Sequence, residues 1–169
     1  MTVTTVRKDP QTLSMTLEAE FDASPERVWQ LWADPRQLER WWGPPTYPAT
    51  FTKHDLTPGS RVEYHMTGPE GDQHRGYWEV LEANAPHRLV FRDGFANAEG
   101  TPNTDLPINT AHVRIEEVGR GRTRMLIESV FPSAEAMEQV LGMGMEEGLT
   151  LAVGQIDAIL AEDALAHRS

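Results

Sequence analysis

The segment from residue 46 to residue 132 constrains the fold most, because it carries strand and turn patterns throughout and no helical period. Val62, Tyr64 and Met66 alternate with polar residues, which is typical of a strand with one buried face. Further strands are predicted over residues 76–82, 88–92, 112–118 and 123–131. Consecutive strands without helices between them pair in antiparallel fashion, so the segment predicts an antiparallel meander.

The residues before this segment predict one more strand and two short helices. Apolar residues occupy every second position over residues 13–21, which indicates the first strand of the sheet. Ser24-Pro25 and Asp34-Pro35 each combine an N-capping side chain with a proline suited to the first helical position. We therefore predict that a short helix begins at each pair.

The C-terminal third of the chain changes to helical spacing. Ser133 is suited to cap a helix, and apolar residues between positions 145 and 160 follow the spacing of a long amphipathic helix. Gly142, Gly144 and Gly148 are expected to interrupt or kink it. Only this helix is long enough to cover the concave face of the sheet, and a curved sheet that grips a helix leaves a cavity between them. We expect function in that cavity.

These patterns together predict an α+β helix-grip fold. A curved antiparallel sheet of about seven strands wraps around a long C-terminal helix, and two short helices follow the first strand. The chain has 169 residues, a length typical of one domain. We predict a single domain over residues 13–164, an N-terminal tail or edge segment over residues 1–12, and a C-terminal tail over residues 165–169.

Composition argues against several functional classes. The chain has 15 Lys and Arg against 26 Asp and Glu, a net charge of −11, which argues against nucleic acid or an anionic membrane as the main partner. The absence of cysteine removes thiol catalysis, thiolate metal sites and disulfides. No apolar run approaches the ~20 residues of a membrane span, and the N-terminus is unlike a signal peptide. We expect an acidic, cytoplasmic protein, with a homodimer left open.

Four segments carry a family resemblance: FDASPERVW at residues 21–29, DP at 34–35 followed by WWGP at 41–44, DLTPG at 55–59, and GMGMEEG at 142–148. In this order they resemble the SRPBCC superfamily of START and birch-pollen-allergen-like helix-grip proteins. Within it, the chain is most similar to the branch named for the C-terminal domain of the heat-shock-ninety ATPase activator. The resemblance covers roughly residues 13–162.

The resemblance implies a seven-stranded antiparallel sheet around a C-terminal helix, with a hydrophobic pocket. It does not imply one reaction, because members of the superfamily include lipid binders, cyclases and aromatases. One departure is Met145, where relatives often carry Trp before the paired acids. This change affects the expected local packing and the choice of ligand.

Aromatic and thioether side chains are the expected lining of such a pocket. Of Trp41 and Trp42, one is expected in the core and the other near the cavity mouth, because neighbouring helical residues face different ways. Met143 and Met145 fit an adaptable ligand site or, equally, a gap in the core. The candidate ligand-binding residues are Trp42, Tyr64, Trp78, Phe91, Phe95, Leu106, Met143, Met145 and Leu149.

The sequence predicts no catalytic residue, no metal site and no cofactor. Its histidines are scattered over separate predicted strands, without the HExxH or paired spacing of a metal site. Asp93, Glu99 and Asp105 lie in an irregular segment over residues 93–110, and we interpret them as solvated charges. Glu146 and Glu147 are interpreted as the exposed face or the cap of the last helix. Whether the chain is an enzyme stays open.

The leading hypothesis is binding of a small hydrophobic or aromatic molecule in the cavity between sheet and C-terminal helix. One alternative is a cyclase- or hydrolase-like enzyme in the same cavity, which two converging titratable groups with shifted pKa values would favour. Another is a chaperone-interacting module, which a large exposed apolar patch would favour. The irregular segment over residues 93–110 is either a lid over the cavity or an ordinary excursion of the chain.

Overall fold

The computed structural model describes residues 3–166 and, within them, the side chains of residues 5–163. In this part of the chain, eight strands and five helices are present. The strands are β1 (Val3–Asp9), β2 (Ser14–Phe21), β3 (Ala49–Lys53), β4 (Arg61–Thr67), β5 (Gln73–Asn84), β6 (Arg88–Ala96), β7 (Asn109–Gly119) and β8 (Arg122–Val130). The helices are α1 (Pro25–Ala33), α2 (Pro35–Trp41), α3 (Ala134–Gly142), α4 (Met145–Gly154) and α5 (Ile156–Ala166).

The strands form one open sheet in the order β1-β2-β8-β7-β6-β5-β4-β3, and every neighbouring pair is antiparallel. The predicted meander runs from β3 to β8, and β2 pairs with β8 rather than with β3. This arrangement, together with the two short helices after β2 and the helical C-terminus, confirms the predicted fold class. The strand count differs slightly, because β1 adds an eighth strand.

The strand β1 lies at one edge of the sheet, within the residues predicted to be a tail or an edge segment. It pairs with β2, with Val6 opposite Leu17. Of its described side chains, only Val6 is partly buried, and the others are exposed. Because so little of its surface is buried, this strand lacks the alternation of apolar and polar residues that would predict it. Of the residues predicted as the C-terminal tail, 167–169 lie outside the described part.

The predicted N-caps of the two short helices both form. Ser24 accepts a hydrogen bond from the backbone of Arg27 at 3.2 Å, and Asp34 accepts one from the backbone of Arg36 at 3.0 Å. The caps hold α1 and α2 in place, so that Trp32 lies fully buried against the sheet.

The helical C-terminus is divided at two junctions. Gly144 has φ of +91°, a left-handed conformation that glycine adopts without strain, and it separates α3 from α4. Gln155 separates α4 from α5, and its side-chain amide donates to the backbone oxygen of Gly43 at 2.7 Å. The glycines predicted the first junction, whereas nothing in the sequence pattern predicted the second.

The main core lies between the sheet and the helices α1, α2, α4 and α5. Ile156 and Ile159 of α5 are buried in it, while Leu160 is only partly buried. A second, smaller cluster is formed where α3 packs near the β2–β8 end of the sheet. Its buried members are Met15, Phe131, Met137 and Val140.

The irregular segment before β7 is shorter than the sequence predicted. The strand β6 continues to Ala96 and β7 begins at Asn109, so only residues 97–108 connect them. Gly94 hid this continuation in the sequence: it lies under the ring of Tyr77, where a Cβ would be 2.8 Å from the ring carbons. Within residues 3–166, no helix is both long and apolar enough to cross a membrane.

Candidate functional site

A cavity of about 290 Å³ lies between the sheet and the α3–α4 junction. The inner faces of β4, β6, β7 and β8 form one wall, and the end of α2 and the helices α3 and α4 form the other. Most of its surface is apolar. The lining residues are Trp42, Pro44, Tyr64, Met66, Asp93, Phe95, Asn109, Ala111, Ile127, Ser129, Val140, Met143, Gly144, Met145, Gly148 and Leu149.

The polar groups of the cavity are carried by neighbouring strands. Asn109 of β7 lies directly opposite Asp93 of β6, and Ser129 of β8 lies opposite Ala111 of β7. Asn109 and Ser129 are both buried, and neither side chain makes a hydrogen bond with a described residue. One amide group and one hydroxyl group are therefore available to a molecule in the cavity.

Tyr64 reaches Asp93 by crossing a whole strand. Tyr64 lies on β4 and Asp93 on β6, with β5 between them, and neighbouring strands are about 4.8 Å apart. The ring passes over Gly76 of β5, where a Cβ would be 2.5 Å from the Cζ and hydroxyl oxygen of Tyr64. The hydroxyl then donates to Oδ1 of Asp93 at 3.1 Å. A glycine at this position is required for the hydrogen bond.

The environment of Asp93 changes its protonation. The side chain is half-buried, and loss of hydration raises the pKa of its carboxyl from 3.8 to about 7, while the hydrogen bond from Tyr64 acts in the opposite direction. Burial also raises the pKa of the Tyr64 hydroxyl well above its usual value. At neutral pH, Asp93 is thus close to half protonation and Tyr64 is neutral. Asp93 can accept or donate a proton there.

Behind Asp93 and Tyr64 lies a group of packed aromatic rings. Trp42 lines the cavity and packs edge-on against Trp78, with ring centroids 4.9 Å apart. Trp78 in turn stacks on Phe91 at 4.1 Å. The indole N–H groups of Trp42 and Trp78 are buried beside the Tyr64 hydroxyl, and both act to lower its pKa, against the larger effect of its burial. The rings therefore support the cavity wall behind Tyr64.

The α3–α4 junction forms the outer rim of the cavity. Met143 at the junction is 54% exposed, although its side chain lines the cavity. Met145 and Leu149 follow on α4, and both are partly buried. The first turn of α4 is tied to the edge strand β1 by an ion pair between Glu146 and Lys8 at 2.5 Å. The rim therefore consists of flexible thioethers around a glycine junction.

Comparison with known proteins supplies the family. The model of the family described as "Activator of Hsp90 ATPase homolog 1-like protein" matches residues 22–161. The chain belongs to this family. The predicted resemblance to the SRPBCC superfamily, and to this branch of it, is thereby confirmed.

Solved structures agree with the family assignment. The chain is similar to protein Ms6760 from Mycobacterium smegmatis, with 51% identity, a TM-score of 0.86, and coverage of 94% of this chain and 96% of that one. It is equally similar to a protein from Arthrobacter aurescens, with 51% identity, a TM-score of 0.91, and coverage of 95% and 93%. An AHSA1 protein from Silicibacter pomeroyi shares the fold at 22% identity and a TM-score of 0.71, over 89% and 99% of the two chains. A search of curated proteins gave no match.

The cavity of this AHSA1-like chain brings together six of the nine predicted ligand-binding residues. They are Trp42, Tyr64, Phe95, Met143, Met145 and Leu149. The other three lie elsewhere. Trp78 and Phe91 are fully buried one layer behind the wall, because their stacked rings fill the space under Trp42. Leu106 lies in the segment over residues 97–108 and does not line the cavity.

The two neighbouring tryptophans, Trp41 and Trp42, lie in different environments. Trp42 lines the cavity, whereas Trp41 is fully buried and donates its indole N–H to the backbone oxygen of Leu31 at 2.9 Å. The two rings meet edge-on, with centroids 5.6 Å apart. Adjacent positions at the end of α2 therefore serve different purposes, as the sequence pattern predicted.

Three polar site residues were missed by the sequence reasoning. Asp93 was interpreted as a solvated charge in an irregular segment, but it lies in β6 and faces the cavity. The alternation of Leu89 and Phe91 continues into Asp93, and this period-two register was the available signal. Asn109 and Ser129 occupy inward positions in the same way. A search for polar residues at inward positions of the predicted strands would identify all three.

The segment over residues 97–108 folds into consecutive turns. The backbone of Asn97 donates to Thr101 at 2.7 Å, and that of Asn103 donates to Phe95 at 2.8 Å. Gly100 lies near Glu63, a β4 residue whose neighbour Tyr64 faces the cavity. The tip of the segment is therefore near the outer face of β4. The lid hypothesis remains a prediction.

Among residues 5–163, the histidines have structural partners or lie away from the cavity. His54 contacts the backbone oxygen of Trp32 at 2.9 Å, and His87 contacts that of Ile115 at 2.9 Å. None of the described residues that line the cavity is a histidine. Over the described side chains, no group of three or more His, Cys, Asp or Glu is placed to hold a metal ion.

Proposed function

We propose that this AHSA1-like protein binds a small hydrophobic or aromatic molecule in the cavity between the sheet and α3–α4. The single observation that carries the proposal is an apolar cavity of about 290 Å³ with its polar groups gathered on one wall. Ligand pockets are commonly apolar with a few placed polar groups, and this volume is near the lower end of their range of about 300–1,000 Å³. A molecule of one or two fused rings matches that size.

The residues that would contact the molecule divide into two groups. Trp42 and Phe95 offer flat aromatic surfaces, and Met143, Met145 and Leu149 offer adaptable apolar contacts from the rim. The polar wall of Tyr64, Asp93, Asn109 and Ser129 would fix the orientation of the molecule. The predicted contacts of Trp78 and Phe91 become indirect in this proposal, through the ring of Trp42 that they support.

Titration with the neutral fluorescent probe N-phenylnaphthylamine tests this proposal. We expect saturable binding with a blue-shifted emission. Ala111→Leu places a larger side chain in the cavity and is expected to weaken binding at least tenfold, whereas Ala158→Leu, at an exposed position of α5, leaves it unchanged. Unfolding curves of both variants establish that they are folded. Non-saturable fluorescence, or equal binding by the two variants, would contradict binding in this cavity.

A second candidate function is an enzyme that acts in the same cavity, of the cyclase- or hydrolase-like kind. The observation in its favour is the meeting of two titratable groups with raised pKa values, Asp93 and Tyr64, at 3.1 Å. A carboxyl group with a pKa of about 7 is suited to general acid–base catalysis near neutral pH. Once a substrate is known, Asp93→Asn should abolish turnover and retain binding. Retained turnover would exclude this role.

The chaperone-interacting alternative remains a prediction, and the family description names an ATPase activator. Such a module would use a contiguous exposed apolar patch. The large apolar side chains that are exposed in the described structure belong to five separate parts of the chain, from β5 to α4. They are Leu81, Ile108, Val118, Met143 and Leu151.

The proposal also includes a cytoplasmic location and a small molecule, rather than nucleic acid, as the main partner. The net charge of −11 supports the second part, because nucleic acid and anionic membranes attract basic surfaces. The location rests on the polar composition, with 39% hydrophobic residues and a mean hydropathy of −0.48. Formation of a homodimer remains a prediction. Light scattering coupled to gel filtration, with and without the probe, measures the oligomeric state directly.

A further inference from the structure

We propose that the cavity selects apolar molecules that carry a protonated amine, with the carboxylate of Asp93 as the group that binds the ammonium. The inference rests on the proposed function, because it names the chemical class of molecule that the same cavity accepts. It assigns to Asp93 a binding role that its position in β6 makes available.

The geometry leaves one oxygen of Asp93 free. Oδ1 accepts the hydroxyl hydrogen of Tyr64 at 3.1 Å. Oδ2 has no hydrogen-bond donor among the described residues, although Asp93 lines the cavity. A carboxylate has acceptor sites for several donors. One acceptor oxygen therefore remains available to a molecule that enters.

The described lining of the cavity contains no positively charged side chain. Among the described lining residues there is no Lys, Arg or His, and Asp93 is the one acidic residue. A carboxylate in an apolar cavity is costly unless it is paired with a cation or protonated. An ammonium group brought by a ligand would supply the missing charge, whereas a ligand carboxylate would be repelled. A hydroxyl would donate to Oδ2 without neutralising the charge.

Neighbouring groups fit the remaining hydrogens of an ammonium. The side chains of Asn109 and Ser129 each have an acceptor oxygen, and neither is used in a hydrogen bond with a described residue. Both line the same cavity as Asp93, and Asn109 lies directly opposite it in the sheet. The net charge of −11 also attracts a cation to the protein from a distance.

The elements packed against Asp93 surround its carboxyl with groups that are neutral near neutral pH. From β4 comes the Tyr64 hydroxyl, which stays neutral near neutral pH because burial raises its pKa. The adjacent strands present Trp78 and Asn109, which do not titrate. On β5, the pKa of the Tyr77 hydroxyl is raised by burial first, then by the charge of Glu79, and least by the charge of Asp93, while Arg61 lowers it. The lining residues of α3 and α4 do not titrate.

A protonated amine should therefore bind more tightly as the pH rises. With a pKa of about 7, Asp93 is about one-tenth carboxylate at pH 6 and about nine-tenths at pH 8. An ammonium binds the carboxylate form, so its binding below pH 7 displaces a proton from Asp93. The affinity for the amine should rise by up to about tenfold between these two pH values, while that of a matched alcohol stays constant.

Isothermal titration calorimetry with three probes of one shape tests the inference. Naphthylmethylamine, naphthalenemethanol and naphthoic acid, all substituted at the same ring position, differ only in the polar group. At pH 8 we expect the amine to bind at least tenfold more tightly than the alcohol, and the acid to bind least. At pH 6.5, the heat of amine binding should vary with the ionisation enthalpy of the buffer, because a proton is released.

Matched variants locate the effect. Asp93→Asn should remove the preference for the amine and its pH dependence while the alcohol still binds. Asp105→Asn, which removes a carboxylate from an exposed position, should leave all three affinities unchanged. If Asp93→Asn does not fold, the proton release by the unaltered protein still decides. Equal binding of amine and alcohol at pH 8 would overturn the inference alone, whereas failure of all three probes to bind would overturn the proposed function as well.

Discussion

Replacement of Gly76 by alanine should break the polar contact at the base of the cavity. A Cβ at this position would lie 2.5 Å from the Cζ and hydroxyl oxygen of Tyr64. Carbon atoms in ordinary contact are about 3.5–4.0 Å apart, so the ring has to move by about 1 Å or more. The hydroxyl reaches Asp93 at 3.1 Å only by lying over Gly76, and this displacement takes it out of hydrogen-bonding range.

The expected cost combines three contributions. Overpacking in a filled core costs about 1–3 kcal/mol. Loss of a hydrogen bond adds about 0.5–1.5 kcal/mol. Alanine restricts the unfolded chain more than glycine does, which raises the free energy of unfolding by about 0.4–1 kcal/mol and offsets part of this cost. The free energy of unfolding should therefore fall by about 2 kcal/mol, within a range of roughly 0.5–4 kcal/mol.

Urea unfolding measures this cost, and carbon NMR of the Asp93 carboxyl measures the lost contact. Since the Tyr64 hydroxyl lowers the pKa of Asp93, its removal should raise that pKa further. Gly119→Ala is the matched control, because a Cβ at Gly119 in β7 meets only Arg122 at an ordinary 3.8 Å. Wild-type stability together with an unchanged Asp93 pKa in Gly76→Ala would refute the argument.

Three further predictions concern stability. The pKa of Asp93 is about 7 in the folded protein and about 3.8 in the unfolded chain. Between these pH values the folded protein binds one proton more than the unfolded chain, so the free energy of unfolding falls as the pH rises. This effect lowers the free energy of unfolding by up to about 4 kcal/mol between pH 4 and pH 8, and Asp93→Asn should remove it. Urea unfolding of the wild type and of the variant across this pH range measures the difference. Ile156→Ala should cost about 2–5 kcal/mol by the same assay, because the side chain is fully buried, and a loss below about 0.5 kcal/mol would show that this face is not packed. Gly144→Ala should cost about 1–2 kcal/mol, because φ of +91° is strained for alanine, and an unchanged unfolding midpoint would contradict the left-handed junction.

The overall fold was predictable because its determinants are local. Alternation marks each strand whose one face is buried, and Ser24 and Asp34 mark the two short helices. The lack of helices between β3 and β8 leaves antiparallel pairing as the only arrangement for consecutive strands. The edge strand β1 was not predictable in the same way, since most of its side chains are exposed and it is held by backbone hydrogen bonds.

The polar wall of the cavity was harder to predict because it reverses the local rule. Asp93, Asn109 and Ser129 are polar residues at inward positions, so each lowers the alternation signal of its own strand. The contact between Tyr64 and Asp93 also depends on Gly76, which lies directly opposite Tyr64 on the intervening strand β5. Sites commonly break local sequence rules, and the glycine that permits the contact gives no hint of its partner in the sequence.

The break in the C-terminal helix explains why a cavity is present at all. The main core includes Val153 and Ile156, the smaller cluster includes Met137 and Val140, and Leu149 packs against both clusters and lines the cavity. A straight helix from α3 to α5 would continue the stripe of large side chains along the sheet. Because Gly144 redirects the chain, the side chains of the junction stand around the space instead of filling it. The proposed ligand would fill the space beside Val140 and Leu149, and binding at a hundredfold excess over its Kd would add about 2.7 kcal/mol to the free energy of unfolding.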